Sequence, residues 1–243
     1  MENENTPVAT ELSPELKATV KSKSSGPLSR AQAYGLMLAD TVGAAAQHEA
    51  YAMALAGRDI TSEHTRKFLK LIEAAREGAT VVVVSTTLRR VAVSKEAAAR
   101  KNLAAMVREI QKAAKQKYAR TNRLLLEDYL ISKKWNTDTA SLAQASQTVL
   151  DRASQDTLPG ISVLLKEFHK VREEWVAASV AVAEAKTALA NDRTELAKTL
   201  QAVDDQRFAI QTAADTEWPH TDESNRTTRI AFGLNPTRAM KGM

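Results

Sequence analysis

Four histidines, His48, His64, His169 and His220, are the side chains best suited to acid–base or metal chemistry in a chain that contains no cysteine. They are scattered, and none stands three residues after a Glu on a helical stretch, the spacing through which helical bundles hold a di-metal centre. Glu217-Trp218-Pro219-His220 has the spacing but carries a proline inside it. His169 and Glu173 lie one helical turn apart, a separation that suits a solvated ion pair better than a metal site. The missing cysteine rules out a disulfide, a thiolate zinc site and a thiol nucleophile. No metal or other cofactor is expected.

The phosphate-cradling loops GxxxxGK[ST] and GxGxxG and the nucleophile elbow GxSxG are also absent from the sequence. Glu173-Glu174 and Asp204-Asp205 are sequence neighbours on a helix, so their carboxylates project in different directions and do not form a catalytic pair. The expectation is a chain that is not an enzyme.

Charge is the strongest chemical asymmetry. Residues 89–134 hold 13 Lys or Arg against Glu96, Glu109, Glu127 and Asp128, a net of +9 in a chain whose total is +5. On an ideal helix Lys101, Arg108, Lys112, Lys115 and Arg123 fall within about 80° of arc, roughly opposite Leu103, Val107, Ile110 and Ala114. Such a basic face can be solvated, pair with the acidic last helix of its own chain, meet a partner protein, follow phosphates or lie on anionic lipid. Tyr118 and Tyr129 point to its flank, so no stacking platform for single strands accompanies it, and no helix-turn-helix pattern is present.

The elements that must carry these residues are helices. Alanine supplies 42 positions against 8 Gly and 6 Pro, a bias toward helix that leaves few turn residues for a sheet. The fold expected is all-α: an elongated antiparallel bundle of four to five helices, with a long coiled-coil-like C-terminal helix and flexible termini. Residues 1–28 read as a mobile arm, 29–216 as the bundle and 217–243 as a tail. Ser29 caps a first helix reaching Ala56, and Gly57 ends it. Within that helix Gly35, Ala39 and Gly43 recur at spacing four and offer a groove for close helix packing.

Phe68, Ile72, Ala75, Ala79, Val82 and Thr86 mark a second helix from about Thr61. Val81 to Val84 read as helix buried on two sides, as a short buried strand, or as a membrane-inserting segment. A third helix spans Ser94 to Ser132 with Leu103, Val107, Ile110, Ala114, Leu124 and Ile131 as its stripe. With no proline or glycine between Ala79 and Leu158, the two can run on as one. A shorter helix reaches Ser154.

The last helix is the clearest: Ile161, Phe168, Trp175, Val182, Leu189, Leu196, Val203 and Ile210 recur every seven residues. Its companion track turns polar at Asp192, Thr199 and Gln206, which makes Leu189, Leu196, Val203 and Ile210 the candidate assembly face between copies. In the tail, Ile230, Phe232 and Leu234 form an apolar docking segment for the chain's own bundle or for a neighbour. An echo links Asn122-Arg123, Tyr129 and Ile131 to Asn225-Arg226, Phe232 and Leu234 at a constant separation of 103, a hint of duplicated helix pairs.

The function these readings favour is a structural or protein-interaction bundle, a homo-oligomer or the binder of a protein partner. A nucleic-acid binder using the basic face is the alternative. A third reading rests on layout alone: a helical bundle with an apolar segment at Ala79 to Leu88 resembles helical pore-forming toxins, which implies that this segment emerges to insert in a membrane. Met1 to Asn5 begin no secretory signal and no apolar run reaches the ~18 residues of a span, so the cytoplasm is the expected compartment, with leaderless export open.

Overall fold

The computed structural model describes residues 26–131, 135–136 and 138–240. Residues 1–25 of the expected arm, together with Lys133 and Lys134 of the basic segment, lie outside them. The fold is all-α, with no strand among the described residues. Helix α1 is Arg30–Gln47, α2 Glu49–Ala56, α3 Ser62–Tyr118, α4 Leu125–Asp128, α5 Thr139–Ser154, α6 Ile161–Glu217 and α7 Arg226–Ala231, the last preceded by a 3₁₀ turn at Glu223–Asn225.

Ser29 starts α1 through a reciprocal capping box: its hydroxyl accepts from the Gln32 N–H, and the Gln32 side chain accepts from the Ser29 N–H. The expected single helix to Ala56 is broken at His48, whose extended backbone ends α1 while its Nδ1 accepts from the Ala50 N–H to cap α2. The second and third expected helices are one, α3, 57 residues long. It passes through Val81 to Val84 as helix, so the strand reading is overturned. That segment is buried on one side only: Val82 is in the core, whereas Val81, Val83, Val84 and Leu88 are exposed.

Helix α3 also stops at Tyr118, not at Ser132. There the Tyr118 hydroxyl and the Lys117 ammonium both bond to Asp156 of the loop after α5, and the backbone leaves the helix in a turn through Thr121 and Arg123. Leu124 is consequently 78% exposed instead of lying on the core stripe.

Contact within the chain sorts it into two compact units, residues 88–187 forming unit 2 and the segments before and after them forming unit 1. Leu36, Val42, Phe68, Ile72, Val203 and Ile210 build the core of unit 1. Leu103, Ile110, Tyr129, Leu142, Val149, Phe168 and Trp175 build that of unit 2. In unit 1, α6 runs antiparallel to α3: Gly78 lies against Leu196 and the Ser85 hydroxyl bonds to Asp192. In unit 2 the Trp175 indole donates to Glu96 at 3.2 Å.

The two halves of the chain have the same construction. In each half of the chain a short helix leads to a 57-residue helix and then to a helix of one or two turns. Left-handed residues punctuate both halves at matching places: Asp59 and Gly160 just before the long helices, Leu130 and Gly233 just after the small ones. A glutamine of each long helix then holds the small helix's end, Gln111 donating to the Tyr129 carbonyl at 2.8 Å and Gln211 to the Phe232 carbonyl at 2.9 Å. The separation of 103 read from the sequence relates Leu130 to Gly233 and Tyr129 to Phe232.

Candidate interaction surface

Lys101, Arg108, Lys112 and Lys115 form an exposed row along the second half of α3 in unit 2. The row stands where it does because Leu103, Val107, Ile110 and Ala114 on the opposite face are fully buried, which turns the cationic positions outward. Arg123 does not belong to it, since α3 has ended five residues earlier and Arg123 sits in the following turn.

Within the row Lys112 pairs with Glu109 of its own helix at 2.6 Å. Arg108 is placed with its guanidinium 5.8 Å from the Trp135 ring centroid, a cation–π arrangement that fixes the side chain without neutralising it. Among the described residues Lys101 and Lys115 have no ion-pair partner, and no residue of the row reaches a carboxylate of α6. Beside the row, Ala97, Arg100, Lys101, Ala104, Arg108 and Asp138 line a groove of about 380 Å³. Asp138 caps α5, and the bond it accepts from the Ser141 N–H holds its carboxyl below the usual range.

The tyrosines expected at the flank of the basic face are spent inside unit 2. Tyr118 and Tyr129 both donate to the Asp156 carboxylate, at 2.5–2.6 Å and 2.6 Å, and Lys117 adds an ammonium at 2.9 Å. Burial alone raises the Asp156 carboxyl. The Tyr118, Tyr129 and Lys117 donors and the Thr157 N–H outweigh it and hold the group far below the carboxylate range. Tyr129 is pushed well above the usual phenol range, first by burial and then by the bond to Asp156. The Lys117 ammonium is held up by Tyr118 and Asp156.

The candidate assembly face is corrected by its surroundings. Leu189, Leu196, Val203 and Ile210 are buried in the core of unit 1, against α1 and the first half of α3. The polar companion positions Asp192, Thr199 and Gln206 are half-buried instead of marking a free seam.

The tail docks on its own unit. Phe232 and Leu234 are buried in core 1, Phe232 in a ring cluster with Tyr51 and Trp218 at centroid distances of 5.3–5.5 Å. Ile230, placed in the docking segment by sequence, is 60% exposed.

What closes the tail is Arg229, fully buried, its guanidinium donating to the carbonyls of Trp218, Asn235 and Arg238 and to Asp215 at 2.5–2.9 Å. Sequence reasoning passed over both Arg229 and Asp156, since a single charge in a polar stretch gives no periodic signal. The repeat had a stronger trace than the one read: Ile110-Gln111-Lys112-Ala113-Ala114 recurs as Ile210-Gln211-Thr212-Ala213-Ala214 at separation 100, and these are the glutamines that hold the small helices.

Among the described residues no group of three or more His, Asp or Glu is placed to hold a metal ion, and no helix is long and apolar enough to cross a membrane. Against protein-family models, curated proteins and solved structures, the chain matches none. The second repeat therefore serves as the comparison. At separation 100 from Lys101, Arg108, Lys112 and Lys115 stand Gln201, Phe208, Thr212 and Asp215. An architecture that both halves share does not require a cationic row.

Proposed function

We propose that the chain is a non-enzymatic interaction protein that engages an acidic helical segment of a partner protein through Lys101, Arg108, Lys112 and Lys115. The observation that carries this reading is the row itself: four exposed cations on one face, three of them without a carboxylate partner among the described residues, where the corresponding positions of the second repeat carry none. Residues 88–187 hold 18 Lys and Arg against 11 Asp and Glu, a net of +7, so attraction of an acidic surface begins before contact.

An acidic helix suits the row better than nucleic acid. Along an α-helix the four cations are about 10, 6 and 4.5 Å apart in rise, steps that carboxylates at seven-, four- and three-residue intervals on a facing helix reproduce. Phosphates recur at one even spacing and the row has no aromatic platform beside it, because Tyr118 and Tyr129 are committed to Asp156. Trp135, half-buried, is a single ring whose face already carries the Arg108 guanidinium.

The test is fluorescence anisotropy with a synthetic helical peptide bearing Glu at those intervals, measured beside a 20-base-pair duplex. The peptide is expected to bind at low salt, and changing Lys101, Lys112 and Lys115 together to Glu should weaken it by at least about tenfold, each lost contact being a charge-assisted one. A duplex that binds more tightly than the peptide, with affinity falling steeply in salt, overturns the reading in favour of phosphate binding.

A further inference from the structure

We propose that the groove beside the cationic row seats a phosphoserine or phosphothreonine of the partner helix, a proposal that rests on the row engaging an acidic helical segment. Helix α3 shapes the groove. At about 100° per residue Ala97 and Ala104 point within about 20° of one another, with Arg100 about 40° beyond Ala104 on one side and Arg108 and Lys101 about 20° and 40° beyond Ala97 on the other. The two small side chains leave the space between the cations, and Asp138 completes the lining. Both guanidiniums are steadied. Arg108 lies over the Trp135 ring, and Arg100 is 3.7 Å from the carboxylate of Glu96, which also accepts from the Trp175 indole.

Charge and donor count select a phosphomonoester. Three cations against the one carboxylate of Asp138 leave the lining at +2, and the Asp138 carboxylate is already turned to the Ser141 N–H. Two guanidinium forks and an ammonium suit an anion with more oxygens than a carboxylate brings. A phosphorylated side chain supplies three acceptor oxygens and a charge of about −1.5 to −2, whereas each backbone phosphate of a nucleic acid carries a single charge. The place on the partner follows from the row. A helix whose carboxylates face Lys101 and Arg108, seven residues apart, carries over Ala104 a residue three positions from one and four from the other. The architecture common to both halves does not ask for this groove: at separation 100 from Arg100, Lys101, Ala104 and Arg108 stand Leu200, Gln201, Asp204 and Phe208.

The test is fluorescence anisotropy of the full chain with three forms of the Glu-bearing peptide, carrying serine, glutamate or phosphoserine at the position over Ala104. Phosphoserine is expected to tighten binding at least about tenfold over serine, and glutamate by less than about threefold. Arg100→Gln should cancel the phosphoserine gain and leave the serine peptide within about twofold of its parent affinity, since Arg100 lies outside the row. Arg100→Lys keeps the charge without the fork and should retain only part of the gain. Circular dichroism at unchanged helix content confirms that both variants are folded. A serine peptide that binds and gains nothing from phosphorylation overturns this proposal and leaves the reading of the row intact, whereas failure of all three peptides to bind overturns both. A gain that survives Arg100→Gln also overturns the groove as its source. So does a 20-base-pair duplex that displaces the phosphoserine peptide at lower concentration than the unlabelled phosphopeptide does, an outcome that favours nucleic-acid phosphates.

Discussion

Asp156 shows how one residue can be worth a large part of a small core. Its carboxylate gathers two phenols, an ammonium and a backbone N–H, so the charge is buried but fully bonded, the condition under which burial of an ion is tolerated. Because its folded proton affinity lies below that of the unfolded chain, the carboxylate contributes stability at neutral pH. That contribution begins to fade as pH falls below the ordinary carboxylate value near 4 and is lost on titration through the still lower folded value. Tyr129 acts with the opposite sense at the other end of the scale. Its raised phenol favours the folded state below pH about 10, and the contribution is lost as pH climbs through the folded value. Asp156→Asn is therefore expected to cost about 3 kcal/mol at pH 7 and to flatten the acid limb of the stability profile. Urea midpoints followed by circular dichroism from pH 7 to pH 3 check both. A variant that keeps the parent's acid limb would show that other carboxylates carry it.

Two of the elements are bounded by glycines that look alike in dihedral angle and differ in surroundings, Gly160 just before α6 and Gly233 just after α7. Gly160, with φ of +67°, has open space where a Cβ would stand, whereas Gly233, with φ of +64°, would bring a Cβ within 2.4 Å of the Leu38 side chain. Gly160→Ala is expected to cost only the left-handed backbone penalty, about 1 kcal/mol. Gly233→Ala adds a clash in the seat of the tail and should cost roughly 2–4 kcal/mol. Thermal melts of the two variants side by side measure the difference; equal losses would mean that the Leu38 contact yields freely.

The same contrast explains what was legible in the sequence. Helices with a strict apolar period, the seven-residue track from Ile161 to Ile210 above all, could be read because burial repeats with the helix. That period says which side is covered and not by what, which is why Leu189 to Ile210 read as a seam between copies when α1 and α3 cover them. Helix ends were read less well: the break at His48 depends on one side chain that bonds back to the backbone, and α3 ends where Lys117 and Tyr118 turn to Asp156, a residue distant in sequence. The basic row was legible from charge and arc alone, since exposed cations leave their pattern in the sequence directly. Asp156 and Arg229 were not, because their partners come from elements brought close only by folding.

At the scale of the whole molecule, the two units differ in how the chain supplies them. Unit 1 needs segments from both ends of the sequence, while unit 2 is one continuous stretch, residues 88–187. Every buried residue of core 2, from Leu103 to Trp175, lies inside that stretch, and so do Asp156 with its donors and the cationic row. A length of 100 residues is enough for an independent core. The apolar faces of the two half-helices of the stretch share one core with α5 and with Tyr129 after α4. The fragment 88–187 is therefore expected to fold by itself, with a helical spectrum, a cooperative melt and buried-type emission from Trp175. It should also bind the acidic probe peptide as the full chain does. Introducing Asp156→Asn into the fragment should lower its melting temperature by more than in the full chain if unit 1 lends unit 2 stability through the continuous helices, and by the same free energy if the two fold independently. A fragment that stays unfolded would mean that the halves of α3 and α6 beyond Leu88 and Thr187 are part of the nucleus that core 2 requires, and the continuous stretch 88–187 would then be a compact unit without being a unit of folding.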